Sequence, residues 1–382
     1  MIIAHVITRL LRAGAEENTI ETCIAQAKAG HQVVLIHGNE WNRSQAARCK
    51  SAIQLIEIPQ LVHSINPRRD FQAVRAMRAA FRQLRPVVVH THQSKAGIIG
   101  RLAARLARVP VIVHGVHIVP FASVGLVQRM VYVTAERALA GSTDAFINVS
   151  EGTRKLYLQH AVGRPEQHFV AHSGFDIERF QQASPPPDWR DLCGLNAQEN
   201  KPPVVLMLAA LEQRKRHIPF LECMHWIIQR VPNVKVLLAG EGPMRGAIED
   251  AIGRLGLQNN VRLLGYNAFP ERLIALADLV VLTSLREGLP RVIVQSLAGG
   301  TPVVTTALPG VEELVEDGVN GLITPAEDLS HTAEAMADLL SDSERLAHMQ
   351  ARARQTDVST WNVDVMCTTV SGIYQRLIPA SA

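Results

Sequence analysis

Short apolar runs alternate with longer amphipathic stretches along the chain. In the first half Val33–Ile36, Val87–Val89, Val111–Val113 and Ala145–Val149 are apolar runs of strand length, and Glu17–Ala29, Phe71–Leu84 and Gly97–Ala107 are helical in length and pattern. The alternation resumes with Val204–Leu208, Val234–Ala239, Leu279–Thr283 and Val303–Thr305. Strands that are apolar on both faces are covered on both faces, so this βαβα order predicts α/β architecture: doubly wound parallel sheets with helices on either side. Two such units are expected, one over residues 1–180 and one over 181–361, with the proline-rich stretch Gln181–Pro203 at the boundary. A last helix at about 362–382 is assigned back to the first unit. Ligands of such sheets bind beyond the carboxyl ends of the strands, and with two sheets the expected site is the cleft between them.

Composition narrows the picture. The 382 residues are 47% hydrophobic and 19% charged, enough apolar material for two cores and too little charge for a disordered chain. No apolar run approaches the ~20 residues that span a bilayer. The opening Met-Ile-Ile-Ala-His-Val-Ile-Thr-Arg reads as a first strand rather than a secretory leader. Five scattered cysteines without a Cys-x-x-Cys suit neither a disulfide framework nor a zinc site, which points to the reducing cytoplasm. Charge is uneven: residues 1–180 hold 22 Lys/Arg against 12 Asp/Glu and the remainder 17 against 23, so +10 faces −6. The basic half reads either as ordinary solvated surface or as a face for an anionic membrane. With aromatics at only 4%, stacking on single-stranded nucleic acid is not expected.

Candidate chemistry sits at the strand ends. Ser284-Leu285-Arg286-Glu287-Gly288-Leu289-Pro290-Arg291 follows the strand Leu279–Thr283 and leads into Val292–Leu297. Gly288 lets the backbone approach a ligand, Pro290 suits a first helical turn, and the helix amides suit a phosphate. Glu287 is either a helix cap or an acceptor for sugar hydroxyls. In the first half His90-Thr91-His92-Gln93-Ser94-Lys95 and Val111-Ile112-Val113-His114-Gly115-Val116-His117 each close a strand. No His-Glu-x-x-His or carboxylate-rich spacing accompanies them, so no metal is expected. The loop Arg12-Ala13-Gly14-Ala15-Glu16-Glu17 lacks a dinucleotide-binding glycine pattern.

The stretch from Ser284 to Pro325, with its later Pro309-Gly310-Val311-Glu312-Glu313 and Asp317-Gly318-Val319-Asn320-Gly321-Leu322, resembles the C-terminal signature of family 4 retaining glycosyltransferases of GT-B fold. That resemblance implies two Rossmann-like domains facing across a cleft. It also implies retaining, metal-independent transfer of a sugar, with UDP as the guessed nucleotide, to a saccharide or polyprenyl-linked acceptor in cell-envelope or exopolysaccharide synthesis. Glu287 matches the family's first glutamate, which contacts the donor sugar; the second, which holds the ribose, is replaced by Gln295. Of an Arg and Lys that grip the diphosphate, Lys215 matches while Ala210 stands for the arginine, leaving Arg214 and Arg216 as substitutes or as solvated charges.

The resemblance further places Gly242, Gly288, Leu289 and Pro290 near the donor, and Leu264-Gly265-Tyr266 around the base. Gly14 falls in a loop similar to the family's Gly-Gly-Ala-Glu, beside the donor phosphate or in a plain turn. His117 corresponds to a histidine under the donor sugar, His114 reads as structural, and His90, His92 and Lys95 are acceptor-side candidates. Two alternatives stand beside the transferase: a non-hydrolysing nucleotide-sugar 2-epimerase, and a degenerate GT-B fold that only binds a partner. The expected location is cytoplasmic, peripheral on the inner membrane face.

Overall fold

Each apolar run becomes a strand of a parallel sheet. The computed structural model describes residues 1–11, 14–50, 52–122 and 124–378; Arg12 and Ala13 of the first loop lie outside them. The chain divides into one unit of Met1–Gly174 with Thr360–Ala382 and another of Phe175–Ser359. The first crossing is thus at Gly174, ahead of the proline-rich stretch, which belongs to the second unit.

The first unit runs β1 (Ile2–Ile7), α1 (Gly14–Lys28), β2 (Gln32–His37), α2 (Arg43–Lys50), β3 (Gln54–Glu57), α3 (Pro67–Leu84), β4 (Val88–His92), α4 (Ser94–Ala107), β5 (Val111–Val116), α5 (Leu126–Ala140), β6 (Ala145–Asn148), α6 (Glu151–Gln159) and β7 (His168–Val170). Its seven parallel strands lie in the order β3-β2-β1-β4-β5-β6-β7. On one face Ala4, Val6, Val34 and Ile36 meet Ala73, Met77 and Phe81 of α3 and Ile99 and Ala103 of α4. Helix α4 also packs against α5. Asn66 starts α3 by accepting from the Arg69 amide with Pro67 in the first turn, where a missing N–H costs nothing.

The second unit runs α7 (Ile177–Gln181), α8 (Trp189–Cys193), β8 (Val204–Leu208), α9 (His217–Arg230), β9 (Lys235–Ala239), α10 (Arg245–Arg254), β10 (Val261–Gly265), α11 (Pro270–Leu276), β11 (Leu279–Leu282), α12 (Arg291–Ala298), β12 (Val303–Thr306), β13 (Gly321–Thr324), α13 (Ser330–Ser341) and α14 (Ser343–Gln355). Its strand order is β10-β9-β8-β11-β12-β13, all parallel. Short helices α7 and α8 flank the prolines and pack on α11, α12 and the β9–β10 edge, so this stretch is docked rather than a free linker. The chain then returns to the first unit as α15 (Val363–Leu377), whose Val370, Ile373 and Tyr374 cover Ile3, Val88 and Val113 on the sheet face opposite α3 and α4.

One charge pair lies inside the first unit. Arg101 of α4 and Glu136 of α5 are 0% and 1% exposed and meet at 2.6 Å. The guanidinium also donates to the Gly97 carbonyl and stands over the Phe146 ring. Removing one buried partner strands the other charge, whereas replacing both by apolar groups of similar volume is close to neutral. Arg101→Ala is therefore expected to lower the unit's stability by about 3–5 kcal/mol, and Arg101→Met with Glu136→Leu to recover most of it, as read by chemical denaturation. Equal losses in both variants would contradict this.

Candidate functional site

In each sheet the strand order reverses once, and the side chains gather there. In the second unit β8 is followed by β9 on one side and β11 on the other, so the loops leaving β8 and β11 diverge above a crevice, where ligands of open α/β sheets bind. The loop after β8 forms a 3₁₀ turn, Gln213–Lys215. It is tied to the loop after β11 twice: Thr283 Oγ1 donates to the Lys215 carbonyl at 2.9 Å, and the Leu285 amide to the Arg214 carbonyl at 2.9 Å.

Those ties place Lys215 Nζ against Glu287 Oε1 and Arg214 Nη1 2.9 Å from the same oxygen. The Glu287 side chain is 10% exposed and that of Lys215 12%. Burial by itself would raise the Glu287 carboxyl; the Lys215 ammonium and the Arg214 guanidinium reverse this and hold it below the usual carboxylate range. Glu287 is therefore ionised and does not cap α12. The residue ahead of that helix is Pro290, which sits at the cap rather than in the first turn, without a side-chain cap bond.

The remaining donor-side candidates divide. Gly288, Leu289 and Pro290 are buried between Glu287 and α12, and Leu289 is 6% exposed, so it offers a ligand its backbone only. Gln295 lies half-buried in the second turn of α12. Ala210 is exposed. Arg214, not Arg216, joins the cluster, since the Arg216 guanidinium donates to the Ala326 carbonyl. Gly242 has a steric reason to be glycine: a Cβ there would lie 2.4 Å from the Leu211 carbonyl oxygen. Its neighbour Gly240 would strike the Ala209 carbonyl at 1.9 Å. Gly265 adopts φ +70°, and Tyr266 beside it is 54% exposed.

In the first unit the order reverses between β1 and β4. The Ala96 amide donates to Thr8 Oγ1 at 3.0 Å, and Gln93 Nε2 to Glu16 Oε1 at 3.1 Å. Gly14 opens α1 beside this crossing. Glu16 is buried, and burial raises its carboxyl above the ordinary range. Residues two apart on a strand share a face, so His90 and His92 of β4 point together toward His5, which stands opposite His90 on β1.

These rings form a chain. His5 Nε2 donates to Gln26 Oε1 at 2.8 Å, His5 Nδ1 and His92 Nε2 meet at 2.9 Å, and His92 Nδ1 and His117 Nε2 at 3.0 Å. An amide oxygen only accepts, so neutral His5 carries its proton on Nε2 and accepts at Nδ1 from His92, which in turn accepts at its own Nδ1 from His117. The polarity of three imidazoles is thereby set from one amide. His90 Nδ1 is held by the Tyr374 hydroxyl at 2.6 Å, while its Nε2 is buried without a hydrogen-bond partner. A Cβ on Gly115 would lie 3.0 Å from His90 Nε2, 3.0 Å from His92 Nδ1 and 3.2 Å from His117 Nε2. Glycine keeps that point open, in a pocket also lined by Asn18 and Thr22.

Nitrogens of His5, His90 and His92 all lie within 4.8 Å of one another, near enough for an ion. Two of the three, His5 and His92, nevertheless already share a hydrogen bond, and no carboxylate belongs to the group. Burial lowers His5 to about 4 and holds His90, His92 and His114 well below the ordinary histidine range. His114 points the other way, to Thr91 Oγ1 at 3.0 Å with Gly97 against its ring, and is structural. Lys95 is spent locally: its ammonium pairs with Asp70 at 2.6 Å and donates to the Ser64 carbonyl, so it braces α4 against α3. His5 and Gln26 escaped the sequence reading because one sits inside an apolar strand and the other on an unremarkable helix; only the β1–β4 register brings them to His92.

Two family models match the chain: glycosyltransferase family 4 over residues 12–179, and glycosyl transferases group 1 over residues 195–356. Among curated proteins it is 25% identical over 332 residues to the Escherichia coli UDP-Gal:alpha-D-GlcNAc-diphosphoundecaprenol alpha-1,3-galactosyltransferase, covering 86% of this chain and 85% of that one. It is 26% identical over 318 residues to the D-inositol 3-phosphate glycosyltransferase of Mycobacterium avium (strain 104), covering 76% and 70%. Among solved structures, Anabaena Alr3699/HepE in complex with UDP and glucose superimposes with a TM-score of 0.79 at 22% identity, over 98% of this chain and 100% of that one.

The histidine cluster makes an acid-stability statement. A ring near 6.5 when unfolded and about 4 when buried binds its proton more readily in the unfolded chain. The stability His5 contributes is complete above about pH 6.5 and is lost as pH falls toward 4. Thermal melts of the first unit should therefore drop steeply over that interval, in the order of 3 kcal/mol for His5 alone. A flat profile between pH 6.5 and 4 would contradict the buried, neutral assignment.

Proposed function

On the premise that the chain belongs to the group 1, family 4 glycosyltransferases and is such an enzyme, we propose that it transfers a sugar from a UDP-linked donor to a lipid-linked or free saccharide in cell-envelope polysaccharide synthesis, with retention and without a metal ion. The observation that carries this reading is the convergence of Lys215 and Arg214 on Glu287 at the strand-order reversal of the second sheet. The Escherichia coli relative's name specifies a UDP-galactose donor and a diphosphoundecaprenol-linked acceptor, and the HepE structure holds UDP, which supports the choice of nucleotide and acceptor class.

The leaving diphosphate gathers negative charge as the glycosidic bond breaks. In this reading Lys215 takes it up, Arg214 stays with Glu287, and the Glu287 carboxylate accepts from hydroxyls of the sugar. A fixed cation and backbone dipoles in a poorly solvated crevice stabilise developing charge without the reorganisation that water requires. Gln295 offers the ribose a neutral amide oxygen, a weaker acceptor than a carboxylate. Retention follows if the acceptor attacks the face the diphosphate leaves, with a diphosphate oxygen taking the acceptor proton. The chain of His5, His92 and His117 serves the acceptor side by holding one imidazole in a set tautomer.

Lys215→Ala and Glu287→Ala are each expected to lower kcat/KM by about 10²–10³ with a UDP-hexose and a diphosphate-lipid saccharide, the scale of losing one preorganised charge contact. Gln295→Glu is expected to tighten UDP binding. Radiolabelled transfer and UDP titration check these. Unchanged turnover in Glu287→Ala would overturn the reading, as would conversion of the nucleotide sugar with no acceptor present.

A further inference from the structure

We propose that the outer surface of the layer formed by α3, α4 and α5 docks on an anionic lipid bilayer. This deepens the lipid-linked acceptor reading, and its test below does not require turnover. The starting observation is α5. Its inner face buries Val133, Leu139 and Ala140 together with Glu136, which is paired with Arg101. Over its first two turns the outer face carries an apolar patch: Leu126, Val127, Met130 and Val131 occupy adjoining positions and are 75%, 78%, 69% and 58% exposed. A contiguous exposed apolar patch marks an interaction surface, and among the described residues nothing covers this one. Phe71 of α3 and Leu106 of α4, 64% and 45% exposed, extend the apolar surface across the neighbouring helices.

Charge decides what covers it. The three helices contain ten Lys/Arg and two carboxylates, Asp70 and Glu136. Asp70 is paired with Lys95, and Glu136 is buried against Arg101. Exposed Arg68, Arg75 and Arg82 recur every seventh residue along the outer face of α3, and Arg105 continues onto α4; among the described residues none of the four has an ion-pair partner. Aliphatic side chains among unpaired guanidinium groups, with no unpaired acid on the three helices, match a bilayer interface. There apolar groups enter the acyl boundary while arginines meet phosphate headgroups. A polynucleotide would satisfy the arginines but leave the α5 face in water. No helix among the described residues is long and apolar enough to cross the membrane, so the contact is with one surface.

Cosedimentation of the full chain with vesicles of phosphatidylglycerol and phosphatidylcholine, against phosphatidylcholine alone, tests this. The wild type should partition into the anionic vesicles at least about tenfold more strongly, and less so as salt rises. Val127→Ser/Met130→Ser/Val131→Ser and Arg68→Ser/Arg75→Ser/Arg82→Ser should each weaken partitioning about tenfold. Both should keep the wild-type melting temperature and the wild-type turnover on a water-soluble acceptor, because none of these side chains belongs to either strand-end cluster. No binding to anionic vesicles, or binding that neither triple variant weakens, would overturn the proposal. So would capture by a soluble polyanion that vesicles fail to displace, which would mark a nucleic acid or an acidic protein as the occupant. Loss of transfer to every acceptor with vesicle binding intact would instead refute the transferase reading and leave the docking surface standing.

Discussion

A single ionised carboxylate organises the loops at the carboxyl end of the second sheet. Glu287 is nine-tenths shielded, and a lone charge in that position would take up a proton rather than remain ionised. Two cations prevent this, and neither arrives on a freely moving arm. The backbone carbonyls of Arg214 and Lys215 are themselves bonded to the loop that carries the glutamate, so the β8 and β11 loops lock together and present all three charged groups at once. Charge in the cluster is balanced, because Arg214 also pairs with Glu212 at 2.8 Å and two cations meet two carboxylates. Arg214 is shared between both acids, which leaves the Lys215 ammonium, paired with Glu287 alone, as the cation an incoming diphosphate would meet.

The first sheet solves a different problem with uncharged groups. Buried histidines that titrate far below neutrality are hydrogen-bonding devices, and their usefulness depends on which nitrogen carries the proton. Gln26 settles that for His5, and the setting passes through His92 to His117. Tyr374, delivered by the returning C-terminal helix, pins His90 beside them. That contact ties the final helix to the histidine cluster as well as to the packing of the sheet.

The fold was legible because continuous apolar strands at regular spacing leave few alternatives to a doubly wound sheet. The second unit's site was legible for the same reason: Lys215 and Glu287 each follow directly on such a strand, so local sequence reaches both. Arg214 remained undecided because three adjacent basic residues differ only in the direction of their side chains, which the 3₁₀ turn fixes. The boundary was placed late because prolines mark a loop wherever it is packed, and here they are held between α7 and α8. His5 and Gln26 were invisible since their link to His92 depends on a β1–β4 register between residues 85 apart in sequence, such as Ile3 and Val88. Gly242 looked like a ligand loop, but close approach of two backbones explains it as fully as a phosphate would.

In the proposed mechanism protein cations, rather than a bound metal, receive the donor's diphosphate. Calorimetric titration of UDP into chelator-treated protein, with and without added magnesium, examines that most directly. The same affinity in both conditions and a steep weakening with salt are expected. Binding that vanishes on chelation and returns with magnesium would contradict it.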